Sequence, residues 1–250
     1  MYSFRSRVRY SECDKTGKLT EAALLDYLQD CAIFHTEDTG YGVRYMENNG
    51  TAWLLASWQL DISELPGFGD NIVVETFPYQ FRGFVGCRCF IVRNADKDIE
   101  YARANSVWTY INMGTLRPER VDDAMIMAYG IDDKIDMEYC SKKLRAPRDM
   151  ECITLETVTI TESHIDTNNH VNNGRYVHMA AGYIPAIMGS AGPVSRIRAE
   201  YKKQVYLGDV LIPKIYKYSD RMLVVYEDED EKVCTNIEFS FAACTGSVED

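Results

Sequence analysis

Apolar side chains follow two rhythms along this chain. Leu24, Leu25, Leu28, Cys31 and Ala32 recur at i, i+1, i+4, i+7 and i+8, the stripe of one buried helix face. An advance of 152 positions lands on Tyr176, Val177, Ala180, Tyr183 and Ile184, with the same spacing. Each stripe is preceded by a short β-like run, residues 4–10 and 153–161, and then by a polar loop that opens with an Asp. Each is followed by stretches rich in β-branched and aromatic residues: 51–62, 71–81, 84–93 and 100–112 in the first half, and 194–206, 209–218, 222–226 and 232–244 in the second. Pro66-Gly67, Asn94-Ala95-Asp96, and the matching pair Gly69-Asp70 and Gly208-Asp209 punctuate them as turns, and the acidic run 227–231 reads as a hairpin tip. Each half therefore predicts one long helix and about five antiparallel strands.

A helix of that length has nowhere to bury its stripe except against a sheet that curls around it. The expected class is α+β, a tandem double hotdog, with each half a long helix wrapped by an antiparallel sheet. One such unit leaves a sheet flank open, and the natural partner is the second unit of the same chain. The expected division is an N-terminal hotdog over 1–115, a linker over 116–150 and a C-terminal hotdog over 151–250. The linker carries Pro118, Gly130, Pro147 and basic runs without strand alternation, and a short helix is expected within it at 121–129.

Bulk properties narrow the classes. The 250 residues suffice for one large or two ordinary domains. No apolar run approaches the roughly 18 residues of a membrane helix, and the first residues lack the apolar block of a secretory signal, so a cytoplasmic setting is expected. A formal charge of -11 argues against nucleic acid as a partner. Any acidic partner would have to meet a local basic patch, of which Lys142, Lys143, Arg145 and Arg148, with Arg117 and Arg120 upstream, form the densest. The eight cysteines, Cys13, Cys31, Cys87, Cys89, Cys140, Cys152, Cys234 and Cys244, are too scattered for a zinc ribbon or a redox pair, and read as reduced thiols.

Candidate chemistry concentrates in Asp166-Thr-Asn168-Asn-His170-Val-Asn172-Asn173, just ahead of the second helix. Cleaving an acyl carbonyl with water needs a base, a positioned water and donors aimed at the developing oxyanion. His170 is the natural base, since its unperturbed pKa lies near neutrality. Asp166 can orient that imidazole, hold the water or attack as a carboxylate. Asn168 can donate to the carbonyl or fix the water, and Asn172 or Asn173 can cap the helix whose N-terminal N–H groups would receive the oxyanion. The loop at the equivalent place in the first half, Asp14 to Glu21, keeps the Asp, but Thr16 replaces Asn168 and Lys18 replaces His170. If Asn and His served only to build the turn, both copies should keep them. His164, Asp166, His170 and His178 offer no recognised metal-ligand spacing, so no metal is expected.

Taken together the residues resemble the acyl-acyl carrier protein (acyl-ACP) thioesterase family, the bacterial form of the plant fatty acyl-ACP thioesterases. The resemblance rests on Asp166 to Asn173 with Gly174-Arg175-Tyr176, on Ala104-Asn105-Ser106-Val107-Trp108 followed by Asn112, on Leu116-Arg117-Pro118, and on Glu200-Tyr201-Lys202-Lys203 before the Gly208-Asp209 turn. It implies a double hotdog whose C-terminal half is catalytic and whose N-terminal half receives the acyl tail. It implies catalytic roles for Asp166, Asn168 and His170. The family also places a Glu and then a Cys where this chain has Gln204 and Val205. A thiol nucleophile is thereby excluded at that position, and Gln204 is left to position a water or the imidazole.

The implied activity is hydrolysis of fatty acyl-ACP to free fatty acid and holo-ACP in fatty acid biosynthesis, with no cofactor. The alternatives are an acyl-CoA thioesterase and a non-catalytic acyl-binding hotdog protein. Asn172, Asn173, Arg175, Trp53 and Lys202 are the expected substrate contacts, and Lys15, Lys18, Arg175, Lys202 and Lys203 the expected basic rim for an acidic carrier protein. The expected partner is acyl carrier protein bearing a phosphopantetheine-linked acyl chain, with no nucleic acid and no membrane. A monomer or a homodimer is expected.

Overall fold

A computed structural model describes residues 1–140, 142–189 and 191–243. The chain divides into two units, Met1–Cys140 and Ser141–Asp250. No helix among the described residues is long and apolar enough to cross a membrane.

In the first unit, β1 (Tyr2–Arg7), β2 (Thr51–Ile62), β3 (Asn71–Arg82), β4 (Val85–Asn94) and β5 (Glu100–Asn112) form an antiparallel sheet in the order β1-β3-β4-β5-β2. A short β6 (Arg117–Pro118) pairs with β5. Helix α1 (Glu21–Asp38) lies along one face of this sheet and buries Leu24, Leu25, Leu28, Cys31 and Ala32, the stripe expected from the sequence. Thr20 caps it by accepting from the Ala23 N–H. Shorter helices follow, α2 (Val43–Asn49) and α3 (Asp123–Tyr129). The stretch 116–150, expected as a linker, is partly built into this unit, because Val121, Met125 and Tyr129 pack with Met46 and Tyr110 in an aromatic cluster that includes Trp53.

The second unit repeats the plan with changes. Its sheet is β9 (Val194–Tyr201), β12 (Val233–Phe241), β11 (Arg221–Glu227) and β10 (Val210–Lys217), in that order. The single β-like run expected over 153–161 is two short strands, β7 (Ile153–Thr154) and β8 (Val158–Thr159), both on β10. The long helix expected here is broken into α4 (Asn173–Ala181) and α5 (Ile184–Met188). Pro185 lacks the N–H that would bond back to Ala181, and Gly182 adds a weak helix former just before it, so Tyr176, Val177 and Ala180 are buried while Tyr183 and Ile184 are only partly so. The strand expected over 194–206 stops at Tyr201, which leaves Gln204 and Val205 in a loop. Of the strand expected over 232–244, Cys244 lies outside the described residues.

The sheet face turned away from α1 is covered by residues 131–140: Gln59 donates to the Glu138 carbonyl at 2.6 Å and accepts from the Cys140 N–H at 2.9 Å, and Tyr139 lies 3.4 Å from Cys89. Residues 142–152 cover the corresponding face of the second sheet, where buried Leu144 packs on Tyr216, Leu223 and Val225 and its N–H donates to Glu200 at 2.7 Å.

Candidate active site

The loop before α4 is a tight turn held by backbone hydrogen bonds. A 3-10 turn over Glu162–His164 leads into it, and an isolated bridge between Ile165 and Val171 closes its neck. Asp166 N–H donates to the His170 carbonyl at 3.0 Å, and Asn169 N–H to the Asp166 carbonyl at 3.0 Å. Asp166 Oδ1 accepts the Asn168 N–H at 2.8 Å, an Asx turn. Asn169 takes φ 61°, the left-handed conformation that Asn tolerates better than most residues. Val171 N–H donates to the Val205 carbonyl at 2.9 Å, which holds the 202–209 loop against the turn.

The first unit builds the same turn from different residues. Asp14 N–H donates to the Lys18 carbonyl at 2.8 Å, Gly17 N–H to the Asp14 carbonyl at 3.0 Å, and Leu19 N–H to the Pro66 carbonyl at 2.9 Å. Asp14 Oδ1 accepts the Thr16 N–H at 2.8 Å, and Gly17 takes φ 78° where Asn169 takes 61°. Burial alone would push the Asp14 carboxyl up, but the hydrogen bonds from Thr16 and from the Lys18 N–H outweigh it and hold the group below its usual range. The Asp common to both loops is thus explained by the turn. What separates them is Asn168 for Thr16 and His170 for Lys18.

His170 and Asp166 are the two acid–base side chains that the turn brings together. His170 Nδ1 lies 3.3 Å from the Val171 carbonyl and 3.7 Å from Asp166 Oδ1, and both side chains are about one-seventh exposed, 15% and 14%. A carbonyl can only accept, so Nδ1 is the donor in this contact, and a neutral imidazole bonded this way has its lone pair on Nε2. Asp166 stands beside the ring but beyond direct hydrogen-bonding distance.

Asn172 is the N-cap of α4, accepting from the Gly174 N–H at 2.8 Å through its side chain, while its carbonyl accepts the Arg175 N–H at 3.0 Å. The Asn173 N–H is the first-turn donor that this cap leaves over among the described residues. Asn173 itself is pinned from below, its carbonyl accepting the Tyr201 hydroxyl at 3.0 Å. That contact is not legible in the sequence, where Tyr201 reads as a strand residue within the Glu200-Tyr201-Lys202-Lys203 motif.

The other expected contacts disperse. Gln204 is partly buried in the loop beside the turn, with its Oε1 accepting the Tyr206 hydroxyl at 2.9 Å. Its counterpart in the first unit is Leu65, whose carbonyl accepts from Lys18 Nζ at 2.9 Å. Arg175 is exposed on the first turn of α4. Lys202 turns to the covered sheet face, 3.8 Å from Glu200 and 3.4 Å from the Leu144 carbonyl, and Lys203 is paired with Asp228. Trp53 belongs to the first unit's aromatic cluster, 5.0 Å from Tyr110 and 6.1 Å from Phe81 between ring centroids. Among the described residues no group of three or more His, Cys, Asp or Glu is placed to hold a metal.

The family model for the acyl-ACP thioesterase N-terminal domain matches residues 1–129, and that for the acyl-ACP thioesterase C-terminal domain matches residues 148–241. Among curated proteins, the chloroplastic palmitoyl-acyl carrier protein thioesterase of Gossypium hirsutum is 25% identical over 209 residues, covering 79% of this chain and 50% of that protein. The chloroplastic oleoyl-acyl carrier protein thioesterase 1 of Arabidopsis thaliana is 22% identical over 225 residues, covering 84% of this chain and 62% of that protein. The chain thus spans about half to three-fifths of the length of these relatives. Among solved structures, an acyl-ACP thioesterase from Bacteroides thetaiotaomicron superposes with a TM-score of 0.85 at 24% identity, covering 96% of this chain and 97% of that one. The 12:0-ACP thioesterase from Umbellularia californica gives 0.84 at 19% identity, with 96% and 97% covered. These similarities establish the double hotdog fold over nearly the whole chain.

Proposed function

This chain belongs to the acyl-ACP thioesterase family, and from that premise we propose that it hydrolyses fatty acyl-ACP to free fatty acid and holo-ACP. The observation that carries the proposal is the contrast between two turns with one backbone plan, of which only the second holds an imidazole, its Nδ1 turned to the Val171 carbonyl.

In the reaction we assign, His170 Nε2 takes a proton from a water as the water oxygen bonds to the thioester carbonyl carbon. The carbonyl oxygen becomes the oxyanion, and the Asn173 N–H and the side-chain amide of Asn168 are its donors. Collapse breaks the carbon–sulfur bond, and the imidazolium returns its proton to the pantetheine thiolate. Asp166 holds the turn through the Asn168 N–H; with Oδ1 committed to the Asx turn, an orienting role suits it better than attack on carbon. Gln204 orders the water from the adjoining loop. The acyl tail is received by the N-terminal unit, whose own turn lacks the groups for chemistry.

Replacing His170 by Ala and, separately, Asp166 by Ala tests the assignment. Each variant should stay folded by thermal unfolding and lose most turnover on an acyl-ACP substrate. Full activity in both would remove this loop from the mechanism.

A further inference from the structure

The interior of the first unit holds a charge where the second has none. Arg88 on β4 is 7% exposed and faces α1 across the sheet. Its Nη1 donates to His35 Nδ1 on α1 at 2.9 Å and to Thr76 Oγ1 on β3 at 3.2 Å, and its guanidinium carbon lies 5.6 Å from the centre of the Tyr129 ring. None of these neighbours is an anion. Burial first, and then the Arg88 charge, push His35 down to about 4, so it is a neutral acceptor. Burial pushes the Cys31 thiol up to about 12 and raises Tyr129 as well, so neither supplies a counter-charge. Burial also lowers Arg88, to about 10, which leaves it cationic at neutral pH. Among the described residues no carboxylate forms an ion pair with Arg88, and its Nε and Nη2 make no hydrogen bond.

The internal repeat shows that the fold does not require this cluster. The helix offset of 152 carries His35 to Ile187, and the Asp70-to-Asp209 offset of 139 carries Thr76 to Ile215. Arg88 pairs with Pro78 as Met222 pairs with Lys217, which carries Arg88 to Met222. On the sheet side the second unit fills the same place with Ile215 and Met222, both wholly buried, while Ile187 falls in α5, beyond the break that ends α4. Desolvating a guanidinium without a counter-ion is unfavourable by comparison with such aliphatic packing. A cost retained in one copy and absent from the other indicates use rather than architecture.

We propose that Arg88, supported by His35 and Thr76, is a binding point for a carboxylate carried on an aliphatic chain lodged between α1 and the sheet of the first unit. A guanidinium offers five N–H donors in a planar fork, and the Nε and Nη2 edge left open here matches the two oxygens of a carboxylate. Cys31, which neighbours Arg88 on the α1 side, and Phe90, paired with Thr76 across β3 and β4, are fully buried, as a chain rather than a hydrated ion requires. The carboxylate has two sources. It is the far end of a dicarboxylic acyl substrate, in which case the inference rests on the thioester hydrolysis proposed above, or it is the carboxylate of a free fatty acid.

The test uses the full chain, wild type, Arg88→Lys, and the triple variant His35→Ile/Thr76→Ile/Arg88→Met, which installs the residues at the second unit's matching sequence positions. Thermal shift and calorimetry with dodecanoate, dodecanedioate and 1-dodecanol read binding. Initial rates on dodecanoyl-ACP and its ω-carboxy analogue read substrate choice. Wild type should bind the carboxylates and not the alcohol, and the triple variant should lose carboxylate affinity by about tenfold or more. Arg88→Lys, which keeps the charge but not the fork, should fall between them. Without ligand the triple variant should melt at or above the wild-type temperature; a purely structural Arg88 would lower it.

A rate preference for the ω-carboxy thioester that collapses in the triple variant identifies the substrate source, and binding of free acids without that preference identifies the fatty acid. Arg88-dependent binding with no hydrolysis of either thioester would sink the hydrolase reading and leave this one standing. Equal carboxylate binding in wild type and triple variant, or no carboxylate binding to wild type, overturns it.

Discussion

Giving the second unit the side chain that the first already carries separates catalysis from architecture. His170→Lys places a lysine in a turn whose backbone hydrogen bonds match those around Lys18 to within 0.2 Å: 3.0 against 2.8 Å for the neck bond at the Asp, 3.0 against 3.0 Å for the next, and 2.9 against 2.9 Å for the bond to the neighbouring loop. Lys18 directs its amine to the Leu65 carbonyl, and the Gln204 carbonyl is the acceptor at the matching place. The substitution should therefore change stability by no more than about 0.5 kcal/mol, a melting shift of about 2 °C or less for a chain of this size. Catalysis should behave differently. A lysine with an ordinary pKa of about 10.4 is protonated at neutral pH and cannot take a proton from water. Loss of a positioned general base typically costs about a hundred- to ten-thousandfold in rate, or roughly 3 to 5 kcal/mol of transition-state stabilisation. Free thiol released from acyl-ACP under single-turnover conditions, read beside a thermal unfolding curve of the same sample, measures both. A folded variant within a few-fold of the wild-type rate would refute the assignment of His170 as base, and an unfolded one would refute the equivalence of the two turns.

The shared aspartates give a second contrast. Asp14→Ala removes only a turn anchor and should cost about 1 to 2 kcal/mol in chemical denaturation while leaving turnover per folded molecule unchanged. Asp166→Asn keeps an acceptor for the Asn168 N–H but removes the charge beside His170; its rate should fall about ten- to hundredfold with little change in melting temperature, because the Val171 carbonyl still fixes the tautomer. Asn172→Ala should lower stability by about 1 kcal/mol through loss of the α4 cap and reduce turnover as the Asn173 N–H is displaced. Acid stability should report on His35. Its folded pKa, about 4, lies below the unfolded value near 6.5, so the unfolded chain binds the extra proton between those values. Stability is then fully present above about pH 6.5 and declines as pH falls towards 4; His35→Ile paired with Arg88→Met should flatten that limb, measured as melting temperature against pH.

Much of the fold was legible because the strands alternate over long runs. The alternating runs 51–62 and 100–112 coincide to the residue with β2 and β5, and the α1 stripe is the stripe that packs. Periodicity overruns the elements where local pattern and backbone chemistry disagree. Tyr183 and Ile184 keep the helix spacing, yet Pro185 cannot donate to the preceding turn, so α4 ends early. Residues 202–206 read as strand, but Lys202 and Lys203 both donate through their N–H groups to the Cys234 carbonyl and take the chain out of the ladder, which moves Gln204 into a loop. At the site, His170 and Asn168 stand out because the first copy lacks them. The role of Asp14 and Asp166 in the turn was not legible, since an Asx turn and a catalytic carboxylate call for the same residue. The Arg88 cluster had a signal that register alone could release: pairing β3 with β4 and β10 with β11 sets Arg88 against Met222.

Initial rates on acyl-ACP and on acyl-CoA carrying the same fatty acyl chain, with wild type and His170→Ala side by side, test the central claim most directly. The proposed function predicts a higher kcat/KM on the ACP thioester and its loss in the variant. A higher kcat/KM on the CoA thioester, or binding of acyl-ACP with no release of fatty acid by the wild type, would contradict it.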